Sequence, residues 1–247
     1  MDTDAARREQ AASFGAAADA YERGRPSYPD EAVDWLLPPG ARRVLDLGAG
    51  TGKLTRSLRA RGLDVVAVDP SPGMLARLSA ALPDVEVRRG GAERLPLPDA
   101  DVDAVLVAQA WHWVDPARAV PEVARVLRPG GVLGLVWNVR DEGSDWVARL
   151  GEALHRGDEQ DPATGAPVVG APFAPVERHD VRWVHTTTPQ GLLDLVASRS
   201  YVITLPDAER ARVLERVADL LRTHPDLRGR REVPLPYVTR CSRTRRP

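Results

Sequence analysis

The residues best suited to chemistry lie in Asp46-Leu-Gly-Ala-Gly-Thr-Gly52, where an acidic residue and three glycines follow an apolar run. Glycines at the end of a strand let the backbone turn sharply and bring its N–H groups close to a ligand. Three nucleotide-type ligands compete for such a loop. A phosphate-binding loop needs four residues between its first glycine and Gly-Lys, then Ser or Thr. Here Gly48 and Gly52 enclose only three, and Leu54 follows Lys53. A dinucleotide loop reads G-x-G-x-x-G, but this one reads G-x-G-x-G with Asp46 just ahead of it. A carboxylate at that point repels a pyrophosphate and suits the ammonium group of an amino-acid cofactor, which favours S-adenosylmethionine over NAD.

Downstream residues fit the same ligand. Asp69 ends the run VVAVD, where a carboxylate can accept both hydroxyls of a ribose. Pro70 and Met74 follow in the next turn; Met74 or Leu75 would pack on a ring face. Gly90-Gly-Ala92-Glu93 comes after a third short apolar run. Ala92 offers backbone groups there, and Glu93 a carboxylate for the amino edge of adenine. Ala49 and Thr51 complete the loop's ligand face.

These residues need strands to end where they begin. Val44–Leu47, Asp64–Val68, Val85–Arg88, Val102–Val107 and Val132–Trp137 read as five strands, with Arg128–Gly131 as a turn before the last. Helical spacing covers 52–61, 72–82 and 116–127 between them. Strands apolar along their whole length are buried on both faces, as in a parallel sheet between helices. Right-handed crossovers then give a doubly wound α/β fold. Beyond Asp141 the pattern loosens. It predicts helices at 146–154, 190–198 and 207–222, a strand at 181–187, and a last strand at 233–240. Pro234 and Pro236 suggest an edge position for that strand. The first 40 residues read as one or two helices centred on Ala11 to Tyr21.

The four core motifs, VLDLGAGTG, VVAVDPSPGML, GGAERLPLPDADVDAV and LRPGGVLGLV, together resemble the class I S-adenosylmethionine-dependent methyltransferases over about residues 41 to 138. The resemblance implies a seven-stranded, mostly parallel Rossmann-like sheet with an antiparallel seventh strand and an N-terminal helical lid. It implies one domain over 1–247: lid 1–40, cofactor-binding core 41–140, substrate-side segments 141–247. It also implies the cofactor roles given to Asp46, Gly48, Gly50, Asp69, Ala92 and Glu93. Phe14–Tyr21, Arg25-Pro-Ser-Tyr28-Pro, Ala108–Trp113, Ser198–Tyr201 and Leu235–Arg240 resemble one branch of that family, which includes proteins similar to trans-aconitate methyltransferases.

The acceptor side rests on fewer residues. Ala108–Trp113 leaves the fourth strand at the ligand edge, so His112 is the candidate base or orienting group. Packing between Trp111 and Trp113 is its bland alternative. Gln109 could touch the cofactor. Tyr21 and Arg25 could fold over it, with Arg25 pairing a carboxylate of cofactor or acceptor. Tyr28, Trp111, Trp113, Trp137, Arg199 and Tyr201 are candidate walls of a mostly apolar acceptor pocket. His155, His179, His185 and His224 lack metal-ligand spacing and read as ordinary surface or edge residues. The arginine-rich tail, 240–246, reads as a solvated end.

Composition excludes other classes. Thirty-four basic and 35 acidic residues leave a net charge of −1, unlike a dedicated nucleic-acid binder. No base-flipping Asn-Pro-Pro-Tyr-like motif follows the fourth strand. One cysteine, Cys241, cannot form an internal disulfide or a cysteine-based zinc site. No apolar run reaches membrane-spanning length, and the N-terminus has no signal-like core. The expectation is a cytoplasmic enzyme that methylates a small molecule, at oxygen by first choice, with no membrane or nucleic-acid partner. A cofactor-binding protein without transfer activity is the alternative from another class.

Overall fold

The computed structural model describes residues 25–154, 167 and 169–247. The expected helices around Ala11 to Tyr21, and with them Tyr21 and His155, lie outside the described residues. Seven strands form one mixed sheet, in the order β3-β2-β1-β4-β5-β7-β6. They are β1 (Arg43–Leu47), β2 (Asp64–Asp69), β3 (Glu86–Arg89), β4 (Val102–Ala108), β5 (Leu127–Arg140), β6 (Glu177–Thr187) and β7 (Val233–Arg245). The helices are α1 (Asp30–Leu36), α2 (Lys53–Arg59), α3 (Pro72–Ala81), α4 (Pro116–Val126), α5 (Asp145–Leu154), α6 (Pro189–Ala197), α7 (Ser200–Ile203) and α8 (Asp207–Thr223). Among the described residues no helix is long and apolar enough to cross a membrane.

The described residues pack as two compact units. The first holds residues 27–138, 167, 169–181 and 239–247; the second holds 25–26, 139–154 and 182–238. In the first unit β1 runs parallel to β2 and β4, with Asp46 beside Ala67 and Leu106. β2 runs parallel to β3, with Asp69 beside Arg89. The β1 side chains from Val44 onward are buried, because α1 covers one face with Ala32, Val33 and Leu36 while Leu54 and Leu58 of α2 join the same cluster. Removing one such side chain, as in Leu106→Ala, would cost about 2–5 kcal/mol. The second unit has its own core, in which Trp146 and Leu150 of α5 meet Leu192 and Leu195 of α6, Val217 of α8 and Leu235 of β7.

Local rules explain where the helices start. Ser71 and Asp115 cap α3 and α4 through their side chains, with proline at the first helical position in both. Arg43, at the N-terminal edge of the sheet, bonds Glu86 at 2.9 Å and also meets Asp64 and Asp101. Asp103 accepts from the N–H groups of Arg42 and Arg43 at 2.8 and 2.9 Å. The carboxylates at this edge are matched by cations and donors, and they hold strands in register.

Four expectations are corrected. Arg128–Gly131 is not a turn ahead of β5. It lies within β5 as a bulge, because β4 advances two residues, from Val102 to Ala104, while β5 advances from Leu127 to Val132. β7 is not an edge strand. It runs antiparallel between β5 and β6 in the sheet, with Gly130 N–H donating to Arg246 C=O at 3.0 Å and Asp141 N–H to Pro236 C=O at 2.9 Å. Pro234 and Pro236 stand near the point where β5 ends, at Arg140, and the Pro236 carbonyl accepts from Asp141 N–H. The arginine tail is therefore part of a paired strand: the Arg243 guanidinium lies 4.2 Å from the Trp35 ring centroid and bonds Glu177 at 2.7 Å. Finally, His224 is buried. Its Nε2 donates to Asp145 at 2.9 Å while Nδ1 accepts from Asp226 N–H, tying the end of α8 to the start of α5.

Candidate cofactor site and acceptor side

The C-terminal ends of β1 and β2 build the centre of the site. Asp46 is fully buried near the end of β1. One of its oxygens accepts from the Thr55 hydroxyl at 2.6 Å, and the other, Oδ1, has no hydrogen-bond partner among the described residues. Burial, with a smaller push from the charge of Asp69, raises the Asp46 carboxyl to about 7. A buried carboxylate with an unused oxygen fits a cationic ligand group, since an unsatisfied buried polar atom costs about 1–3 kcal/mol. Thr55 was not read from the sequence. Its signal was present: a hydroxyl residue on the first turn of the helix after the glycines, completely buried.

Two glycines shape the loop. Gly48 has φ +72°, and a Cβ there would lie 2.8 Å from the Ala110 Cβ, so the loop and the segment after β4 approach closely only without a side chain. Gly50 has φ +56° with nothing within 4 Å of the Cβ position, leaving open space where a ligand can lie along the backbone. Gly48 and Ala49 N–H groups both donate to Val68 C=O, at 2.8 and 3.1 Å, fixing the loop against β2.

Asp69, mostly buried, accepts from Gly50 N–H at 2.9 Å and from Ser71 N–H at 2.8 Å. Burial raises its carboxyl and these two donors oppose the rise. A carboxylate offers about four lone-pair sites, so both oxygens keep capacity for ribose hydroxyls. Pro70 is exposed, whereas Met74 and Leu75 are buried on α3. Ala92 is buried; Glu93 Oε1 accepts from Asp115 N–H at 3.0 Å, which links the third strand's loop to the start of α4.

The segment after β4 is strained. Gln109 has φ +57°, and its N–H donates to Val136 C=O at 2.9 Å. A non-glycine residue in this region costs about 1–2 kcal/mol and marks a place where the chain is held for a purpose. Trp111–Trp113 then forms one 3-10 turn. Trp111 is buried, Trp113 half-buried and His112 exposed, with the His112 and Trp113 rings 4.6 Å apart. Trp111 therefore packs, while His112 and Trp113 keep exposed surface. Trp137, on β5, is buried with an indole N–H that has no partner among the described residues. Tyr28 packs beside the α1 cluster. Asn138 was missed by sequence reading: its amide donates to Ser27 C=O at 3.0 Å and accepts from Thr239 at 2.6 Å, tying the chain just before Tyr28 to β5.

Arg25, Arg199 and Tyr201 belong to the second unit. There Arg25 donates to Ser198 C=O at 3.4 Å, and Tyr201 packs against the α5–α6–α8 core. Arg140, at the end of β5, joins them electrostatically and was also not anticipated. Among the described residues no group of histidine, cysteine or acidic side chains is arranged to hold a metal.

The family model for a methyltransferase domain matches residues 45–135, the stretch that carries the glycine loop, Asp69 and the Gln109 turn. An uncharacterized methyltransferase of Mycobacterium tuberculosis is 62% identical over 237 residues, covering 96% of this chain and 97% of that protein. An uncharacterized methyltransferase-like protein of Schizosaccharomyces pombe is 34% identical, covering 89% of this chain and 90% of its own length. A solved structure described as a type II methyltransferase of Anaeromyxobacter dehalogenans superposes with TM-score 0.62 at 27% identity, over 90% of this chain and 97% of that one. The strand order, the glycine cradle and these relatives agree: the chain belongs to the class I S-adenosylmethionine-dependent methyltransferases.

Proposed function

We propose that this protein transfers a methyl group from S-adenosylmethionine to a small-molecule acceptor, with oxygen as the first choice of methylated atom. The observation that carries the reading is the Asp46–Gly50–Asp69 cradle: two buried carboxylates around an open glycine backbone, one with an unused oxygen. Two buried carboxylates beside the glycine loop disfavour a pyrophosphate and favour a ligand with a cationic amino-acid end and a ribose. Asp46 and the Gly48–Thr51 backbone would hold the amino-acid end, Asp69 the ribose hydroxyls, and Met74, Leu75, Ala92 and Glu93 the adenine.

When bound, the cofactor supplies a methyl group on a sulfonium, whose displacement leaves a neutral thioether. The chain then has to position the acceptor at about 3 Å and in line. A carboxylate oxygen attacks without losing a proton. A hydroxyl or an amine needs a base, and the exposed His112 beside Trp113 is the side chain proposed for that role. The near-neutral charge of the chain supports a small acceptor over a nucleic acid.

The test is transfer of a radiolabelled methyl group by the full chain to a panel of acids, phenols and amines. Labelled product is expected, and alkali-labile label released as methanol would identify a methyl ester. Cofactor binding by calorimetry with no product across the panel would instead favour the binding protein without transfer activity.

A further inference from the structure

We propose that the ligand-free protein carries a proton on the buried carboxyl of Asp46 and gives it up to solvent when the amino-acid end of the cofactor binds. All the groups concerned belong to the unit that holds β1, β2, β4 and α2. Asp46 is fully buried, between Ala67 of β2 and Leu106 of β4 in the sheet, with Leu45 and Leu47 buried to either side along β1. Thr55 is its hydrogen-bond partner, through the hydroxyl at 2.6 Å, and Oδ1 has none among the described residues. A carboxylate taken out of water this completely needs a cation or several N–H donors to keep its charge. The charge that acts on Asp46 has the same sign: the Asp69 carboxylate at the end of β2. The cations of α2 and α3, Lys53, Arg56, Arg59 and Arg77, are not among the groups that act on it. On α1, Asp30 and Asp34 pair with Arg61, and Glu31 with His179.

Elsewhere in the same unit carboxylates are given partners. Asp103 accepts from two backbone N–H groups and from Arg128, and Glu86 bonds Arg43 at 2.9 Å and Arg88 at 2.6 Å. Both are held below their ordinary values by these contacts, against the effect of burial. Asp46 goes the other way, up to about 7. An ammonium group within about 4–6 Å favours the ionised form of a carboxyl by about ten- to thousand-fold. On binding, the O–H bond of the Asp46 carboxyl breaks, its proton passes to the buffer, and the ammonium keeps all of its own. Cofactor affinity therefore rises with pH through the neutral range, and acidification empties the site.

This rests on the cofactor reading above, in which Asp46 meets the ammonium. Proton release and occupancy are both measured without turnover.

S-adenosylhomocysteine, whose ammonium stays charged throughout, is titrated calorimetrically into the full chain at pH 6 and pH 8. Each titration is run in two buffers of different ionisation enthalpy, and the difference in heat counts the protons released. For a hundred-fold effect of the ammonium, about 0.8 proton is expected at pH 6 and about 0.1 at pH 8, with binding about ten-fold tighter at pH 8. 5′-Methylthioadenosine has the same ribose and adenine but no amino-acid end, and should bind with no proton released. Asp46→Asn should release none and bind S-adenosylhomocysteine equally at both pH values. The nucleoside comparison decides the matter if that variant does not fold. Binding of S-adenosylhomocysteine with no proton released at pH 6 overturns the inference and leaves the cofactor reading intact. Equal release by the nucleoside puts the proton on the ribose side, at Asp69, and overturns it too. No binding at either pH overturns the cofactor reading and this inference with it.

Discussion

Asp46→Asn should make the protein more stable and a worse cofactor binder at the same time. The Asp46 carboxyl rises from an ordinary 3.8 to about 7, mainly through burial. Between those values the folded protein holds a proton that the unfolded chain has released. The unfolded state binds fewer protons there, so stability falls as pH rises through the window, and the whole loss is present above about pH 7. At about 1.4 kcal/mol for each pH unit, the ionised carboxylate costs the ligand-free protein about 4 kcal/mol at pH 8. Asparagine keeps the shape and the acceptor for Thr55 but brings an amide that needs its own partner, which offsets part of the gain. A net gain of about 2 kcal/mol corresponds to about 4–8 °C in Tm for a chain of this size. Calorimetric melts should show that rise at pH 8 and little difference at pH 4. The same substitution removes the charge facing the cofactor's ammonium, and cofactor affinity at pH 8 should fall about 10- to 100-fold, the loss of one charge-assisted contact. An unchanged cofactor Kd, or a variant that melts lower at pH 8, would refute the assignment of Asp46 as a desolvated anion held for a cation.

Three other substitutions test the rest of the cradle and the β4 turn. Asp69→Ala removes the acceptor for Gly50 and Ser71 N–H; cofactor binding measured by calorimetry should weaken by about 1–3 kcal/mol. Gln109→Gly relieves a left-handed φ of +57°; melting should show a gain of about 1 kcal/mol, while the KM for the cofactor rises through loss of the side chain. His112→Ala should lower kcat about 100-fold on a hydroxyl or amine acceptor, with cofactor Kd unchanged. Equal turnover would refute the base role and leave His112 a packing role beside Trp113.

The N-terminal half was legible because its logic is local. The Val65–Val68 run is apolar on every residue and Val44–Leu47 on all but Asp46, and only a two-sided parallel sheet accepts that pattern. Asp46 and Asp69 could be read because each stands where its strand ends, so position along the chain and position in space coincide. The hydroxyl of Thr55 escaped because its partner lies nine residues away and only the helical turn brings them together. The prolines of β7 misled for a related reason. They were read as marks of an edge strand, yet the strand is interior, and they stand near the point where β5 ends at Arg140.

The sequence alone determined the cofactor class and the first five strands, since glycine spacing, acidic strand ends and apolar runs each act over a few residues. The tertiary structure decided three further things. It drove the Asp46 carboxyl toward neutral pH, because desolvation depends on everything packed around a group. It placed β7 between β5 and β6, because strand pairing joins residues about a hundred positions apart. It joined Arg25 to the Ser198 carbonyl, from segments that share no periodicity.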